Sequence, residues 1–368
     1  MKLSSNRLLR SPWLEIGIML VVLVVSYIAL AVISTGAETP PEGMSAWAIS
    51  RLLLAFFVLS FAIAFVAVIA GIGGGVIFTP IMLAFTDVNS LIVRATGLVV
   101  AMFSGLISTG PFMRRGLGNL KLCILCTSAL AVGTLVGARG ALWIAEYMGP
   151  SSEGTIRMVL GGILLAIAAY FTFGSNMEWP KVKKVDRFTR WLNITQPYYE
   201  QSLGEVVDYK VTRAGGGLTS MFFIGLVSGF FGLGGGWAVT PALNLIMGVP
   251  LKVAAASSGI LLGVGSCSGI WPYLLNGAII PLFVAPWMVG QILGGLLGSY
   301  ILMKVKAQFV RFILIGIMFF TSFALVTKGL KTLGYMGEIP MPAFIGVFFA
   351  IMAAVILAIL GKFPNFKR

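Results

Sequence analysis

The chain has 368 residues, 58% hydrophobic and 10% charged, with a mean hydropathy of +0.99. Soluble domains carry about 25% charged residues, so this composition excludes an ordinary soluble enzyme and defines an integral membrane protein. The net charge of +14 comes with no His at all: the basic residues lie mainly at chain ends and in one loop, where they set topology and do not suggest nucleic-acid binding, and the missing His removes most metal sites, His-activated nucleophiles and His proton relays.

Lys2, Arg7 and Arg10 precede an apolar run over 13–34. That run is longer than the 7–15 residues or so of a signal-peptide core, so we expect a retained signal anchor with a cytoplasmic N-terminus. Further apolar runs follow at 52–86, 91–112, 122–147, 156–174, 216–247, 252–275, 281–303, 308–328 and 341–360. Their length and lack of alternation predict membrane helices and not a barrel.

The run 52–86 is too long for one span, since about 35 residues of helix would reach roughly 52 Å across a core near 30 Å. Arg114, Arg115 and Lys121 mark the next cytoplasmic loop, so 91–112 starts outside. The run 52–86 then begins and ends on one side and must turn back within the membrane. The turn falls at GIGGGVIFTP, Gly71 to Pro80, which returns as GLGGGWAVTP, Gly232 to Pro241, 161 residues downstream. Adjacent glycines cost about 1 kcal/mol each in a helix interior, and the same interruption at matching places of two halves points to broken helices at a transport site.

Lys181, Lys183, Lys184, Arg187 and Arg190 place the linker 175–215 on the cytoplasmic side. Its aromatic residues among charges predict a segment lying on the membrane surface, in the first instance a spacer. The run 216–247 starts and returns inside, and 252–275, 281–303 and 308–328 then alternate. Lys328 and Lys331 fall outside, against the charge rule. Gly97 and Ser104 match Gly259 and Ser266, Gly133 and Gly137 match Gly290 and Gly294, and Arg157 and Gly162 match Arg311 and Gly316. The expected fold is an all-α polytopic membrane protein. It has two inverted repeats, 51–174 and 216–330, each a broken re-entrant hairpin plus three spans. The segments 1–50 and 331–368 add one helix each, and both termini are cytoplasmic.

Thr79-Pro80 and Thr240-Pro241 read as helix starts, Thr as N-cap and Pro at the first helical position. The glycines Gly73, Gly74, Gly75, Gly234, Gly235 and Gly236 would then lie near the midplane just ahead of helix N-termini, where amide donors and the positive dipole end favour an anion. Thr96, Ser104, Ser257, Ser258 and Ser266 on the following spans, and Asn244 one turn after Pro241, are the side chains expected to complete the site. Arg94 is the first-half cation nearest a hairpin, facing the pathway or snorkelling outward, while Gln291 and, more weakly, Arg139 are further candidates for the route. The cysteines, Cys123, Cys126 and Cys267, all fall in spans, so no disulfide framework is expected. Cys267 beside the site leaves sulfur-exchange chemistry open.

Together the two GxGGG-x-x-x-x-P motifs, the four-plus-four runs and the Arg114-Arg115-Gly116 loop resemble the TauE/SafE sulfite exporter family over about 52–330. The resemblance implies a bacterial inner-membrane transporter of sulfite, sulfonates, related sulfur oxyanions or organic anions, with the glycine motifs at the substrate site. The first and last spans and the long linker depart from the family pattern. Glu15, Asp87 and Glu146 all lie near span ends, which leaves no deep carboxylate relay for proton-coupled uptake. Export of a sulfur anion by alternating access is therefore expected, with uptake of thiosulfate or a sulfonate, or a non-transporting scaffold, as the alternatives. No enzymatic activity, cofactor or metal is expected. The partners are the anion, the bilayer and, in one reading, further copies of the chain.

Overall fold

The computed structural model describes residues 46–70, 72–113, 119–149, 151–173, 180, 182, 184–194, 197–200, 205–302, 307–337 and single residues between 343 and 353. The run 13–34, the Arg114-Arg115-Gly116 loop and most of 341–360 lie outside them. In chain order the elements are α1 (Ala46–Ala70), α2 (Gly75–Phe85), α3 (Ser90–Met113), α4 (Leu120–Met148), α5 (Ser151–Phe173) and α6 (Arg187–Leu192). Two three-residue strands follow, β1 (Tyr198–Glu200) and β2 (Glu205–Val207). The second half holds α7 (Ala214–Phe231), α8 (Gly236–Pro241) running into a π-helical turn (Ala242–Ile246), α9 (Leu251–Leu275), α10 (Pro281–Leu302) and α11 (Ala307–Thr332). Seven of these, α1, α3, α4, α5, α7, α9 and α10, are long and apolar enough to cross a bilayer. The protein is thus an all-α polytopic membrane fold, with one antiparallel β ribbon in the linker as an unpredicted detail.

Glycine sets the contacts between the halves, because lipid offers no hydrophobic drive and helices associate by close packing. A Cβ on Gly133 would stand 2.0 Å from Phe222 O, and one on Gly137 2.1 Å from Leu226 O. The rising order of both partners makes α4 and α7 parallel. Gly290, Gly294 and Gly298 face the carbonyls of Phe57, Phe61 and Phe65 in the same way, so α10 runs parallel to α1. Each half thus lends a helix to the other's hairpin. The contacts also correct the expected register. Phe61 and Phe222 are 161 apart, so Gly133 corresponds to Gly294 and Gly137 to Gly298, not to Gly290 and Gly294.

The other pairings fix relative directions. Gly105 meets Gly259 and Gly263, while Cys267 Sγ lies 3.3 Å from Met102 Sδ, so α3 and α9 are antiparallel. Gly154 meets Gly329, and Ser322 Oγ donates to Gly161 O at 2.6 Å, so α5 and α11 are antiparallel too. Within the first hairpin, Gly74 faces Gln291 while Phe78 packs on Trp287. Hence α2 runs against α10 and against α1. In the second, Gly235 meets Leu130 while Met247 Sδ lies 4.0 Å from Cys126 Sγ, so α8 and its π-turn run against α4. The chain reverses at both glycine turns.

The linker is more than a spacer. Asn119 caps α4 by accepting from Leu122 N at 3.1 Å, and its amide donates to Ile194 O at 2.6 Å and Tyr209 Oη at 3.0 Å. Burial pushes the Tyr209 phenol up from its ordinary value, so it stays neutral as an acceptor. Asp186 caps α6 and accepts from Arg213 N at 2.6 Å, while Thr212 N donates to Met247 O. The linker is thereby clamped to the ends of α4 and of the second hairpin. At the opposite end of the molecule, Lys328 Nζ lies 2.9 Å from Asp87 Oδ1 and donates to Thr86 O at 2.7 Å. Lys328 thus serves the C-terminus of α2.

Candidate functional site

The helices leading into the turns stop where glycine lets the backbone take left-handed angles. Gly73 has φ +79° and Gly234 has φ +69°, a region costly for residues with a Cβ. Past these points α2 begins at Gly75 and α8 at Gly236. This corrects the expected starts at Thr79-Pro80 and Thr240-Pro241. Pro80 and Pro241 each lie sixth in their helices, where a proline removes an internal hydrogen bond, and after Pro241 the ladder relaxes into the π-turn. From Gly75, α2 is about 16 Å long, roughly half the thickness of a hydrocarbon core.

The two turns are buried and touch each other. A Cβ on Gly75 would stand 2.5 Å from Leu233 O, and one on Gly236 2.2 Å from Ile72 O. The second contact is the first with the halves exchanged, since 75 and 236, like 72 and 233, are 161 apart. Thr79 does not cap its own helix. It is fully buried and its Oγ1 donates to Gly232 O at 2.7 Å, across to the other turn. Its counterpart Thr240 Oγ1 is buried without a partner.

Of the remaining predicted residues, Ser104 is joined to the glycine turn, accepting from Gly74 N at 2.9 Å. Thr96 and Ser258 turn their hydroxyls back onto Ile92 O and Ala255 O of their own helices. Ser257 is fully buried with an unpartnered Oγ, and Ser266 is buried on the same helix. Asn244 donates to Val249 O at 2.9 Å and so secures the end of the second hairpin, away from its glycines. Arg139 is exposed on α4 and lines no interior route.

Arg94 is fully buried and faces neither solvent nor an open path. Its guanidinium donates to Ser90 O, to Ser90 Oγ and, at 3.1 Å, to Phe230 O, and it lies 5.6 Å from the Phe230 ring centre. Tyr273 Oη donates to Gly229 O at 3.0 Å. Together they satisfy the last carbonyls of α7, whose interruption inside the membrane would otherwise orphan them. A cation at a helix C-terminus also complements its dipole. Arg94 thus holds the broken helix.

A group outside the predicted set of hydroxyls closes on Gly74. Gln291 is fully buried, its Nε2 donates to Ser60 O and Ser60 Oγ at 3.1 Å each, and its Oε1 lies over Gly74, 2.3 Å from where a Cβ would be. Ser60 Oγ donates to Trp287 O at 2.6 Å. The Trp287 ring stacks on Phe56 and meets Phe78 edge-on at 4.5 Å. Gln291 was visible in sequence as a polar residue inside a packing motif. Ser60 and Trp287 gave no such signal, because an isolated Ser or Trp in an apolar helix is ordinary.

Two interrupted helices touch through their breaks and are embraced by helices from opposite halves, within a polytopic membrane fold. The sequence model of the family described as "Sulfite exporter TauE/SafE" matches residues 56–325, and the chain belongs to that family. It is 24% identical over 270 residues to "Probable membrane transporter protein YunE" of Bacillus subtilis, covering 71% of this chain and 92% of the relative. It is 26% identical over 272 residues to "Probable membrane transporter protein YfcA" of Escherichia coli K12, covering 73% and 87%. A third relative, "Probable membrane transporter protein ORF9" of a Sinorhizobium species, is 29% identical over 264 residues, covering 72% and 88%. No solved structure matches the chain.

Proposed function

We infer that the protein exports a small sulfur oxyanion, sulfite or an organosulfonate, across the inner membrane by alternating access, its two halves being inverted copies that rock about the paired glycine turns. The observation that carries this reading is the reciprocal contact of Gly75 with Leu233 O and of Gly236 with Ile72 O. A joint shared by both halves moves when either half moves. The N-terminus of α2 brings amide donors and a positive dipole end to that joint, next to the Ser104 hydroxyl, which suits an anion.

Direction follows from charge. Among the described residues, Asp87, Glu146 and Glu153 lie at or next to helix ends, leaving no acidic relay deep in these spans for proton-coupled uptake. An inside-negative potential expels an anion, by about 2.3 kcal/mol per charge per 100 mV. Proteoliposomes loaded with sulfite and set to opposite potentials test the reading. Release should quicken when the interior is negative, and a flux indifferent to the sign of the potential would sink it.

A further inference from the structure

The two glycine turns are not equivalent in chemistry. Offset by 161, Gln291 corresponds to Leu130, Ser60 to Met221 and Trp287 to Cys126. At the second turn the three atoms nearest a Cβ on Gly235 are the apolar ends of Ile224, Val239 and Leu130. Both turns carry buried donors with nothing to bond, Trp287 Nε1 at the first and Trp237 Nε1 and Thr240 Oγ1 at the second. Only the first adds a carboxamide, whose Gln291 Oε1 is a buried acceptor without a partner. A buried polar atom left unpaired is costly, and here an acceptor and a donor stand one turn apart on the face of α10 that covers the start of α2. The amide orientation is fixed by chemistry. Ser60 O can only accept, so Nε2 must face it and Oε1 must face Gly74.

We propose that Gln291 Oε1 reads a hydrogen-bond donor on the transported anion, so that this site selects a singly charged oxyanion bearing an O–H or N–H, such as hydrogensulfite or a hydroxyl- or amino-substituted alkanesulfonate. This rests on the anion-transport reading above. An anion with acceptors alone satisfies the α2 amides but meets Oε1 lone pair against lone pair. An anion with one donor satisfies both, and Trp287 Nε1 supplies a further donor to its oxygens as α2 parts from α10. The unpartnered acceptor stands at the first turn, so the donor group of the substrate is directed to that turn.

The test compares two probes of equal charge, 2-hydroxyethanesulfonate and ethanesulfonate, binding to the purified full-length protein, with affinity read by thermal stabilisation and by competition with sulfite counterflow in proteoliposomes. The wild type should hold the hydroxylated probe about tenfold more tightly, the penalty for one unsatisfied buried acceptor. Gln291→Met should bring its affinity down to that of ethanesulfonate. Equal affinities in the wild type, or a preference that survives Gln291→Met, would overturn the donor reading and leave anion transport standing. Failure of both probes and of sulfite to bind the wild type would overturn the anion reading itself. The wild-type ratio needs no variant, so it decides even if Gln291→Met does not fold.

Discussion

At the scale of single residues, the site is built by what is missing from it. Gly75 and Gly236 lack a Cβ where the other half's backbone stands, at Leu233 O and Ile72 O. Backbone cannot swing aside as a side chain can, so Gly75→Ala should cost about 1–3 kcal/mol by overpacking and arrest flux, measured by thermal unfolding and sulfite counterflow. Gly74 differs, because its obstacle is the Gln291 carboxamide. Gly74→Ala should be damaging alone and milder beside Gln291→Ala, a coupling that a double-mutant cycle reads directly. Arg94→Met should lower stability by about 2 kcal/mol, since charged hydrogen bonds to Ser90 O and Phe230 O are lost. Its residual flux should keep the wild-type dependence on sulfite concentration, because the guanidinium serves α7 and not the ligand.

At the scale of elements, the hairpins depend on clamps at both ends. Asp186 ties α6 to the backbone entering α7. Its carboxyl is held below the usual range first by the Thr189 hydroxyl, then by backbone N–H donors including those of Thr189 and Arg213. A depressed folded value means the clamp is fully present above the ordinary aspartate value of 3.8 and is lost as pH falls through the lower folded value. Limited proteolysis between 184 and 213 should therefore accelerate below about pH 4, and Asp186→Asn should show that acceleration at neutral pH. At the other face Asp87, lowered by its hydrogen bond and charge contact with Lys328, is almost fully exposed. Salt screens such a pair, so Asp87→Asn should change stability little.

At the scale of the whole molecule, each half closes the other's hairpin, α4 on α7 and α10 on α1, and the joint between them is narrow. Motion of one half against the other must shear α3 past α9, where Cys267 and Met102 sulfurs stand 3.3 Å apart. Met102→Cys, cross-linked to Cys267 by a short bifunctional thiol reagent, should stop sulfite flux, while the uncross-linked variant carries it. Undiminished flux in the cross-linked protein would show that α3 and α9 travel as one body.

The sequence by itself determined the membrane class, seven of the spans and the place of each glycine turn. Those are properties of length, hydropathy and charge, which act locally or through the bilayer and need no knowledge of neighbours. Only the tertiary structure decided that the helices start at Gly75 and Gly236, that Arg94 caps a broken helix, that Gly133 pairs in register with Gly294, and that Gln291 lies over Gly74. Each of these depends on which atoms meet across hundreds of residues of chain. A glycine or glutamine carries no mark in sequence of the partner that will occupy the space beside it.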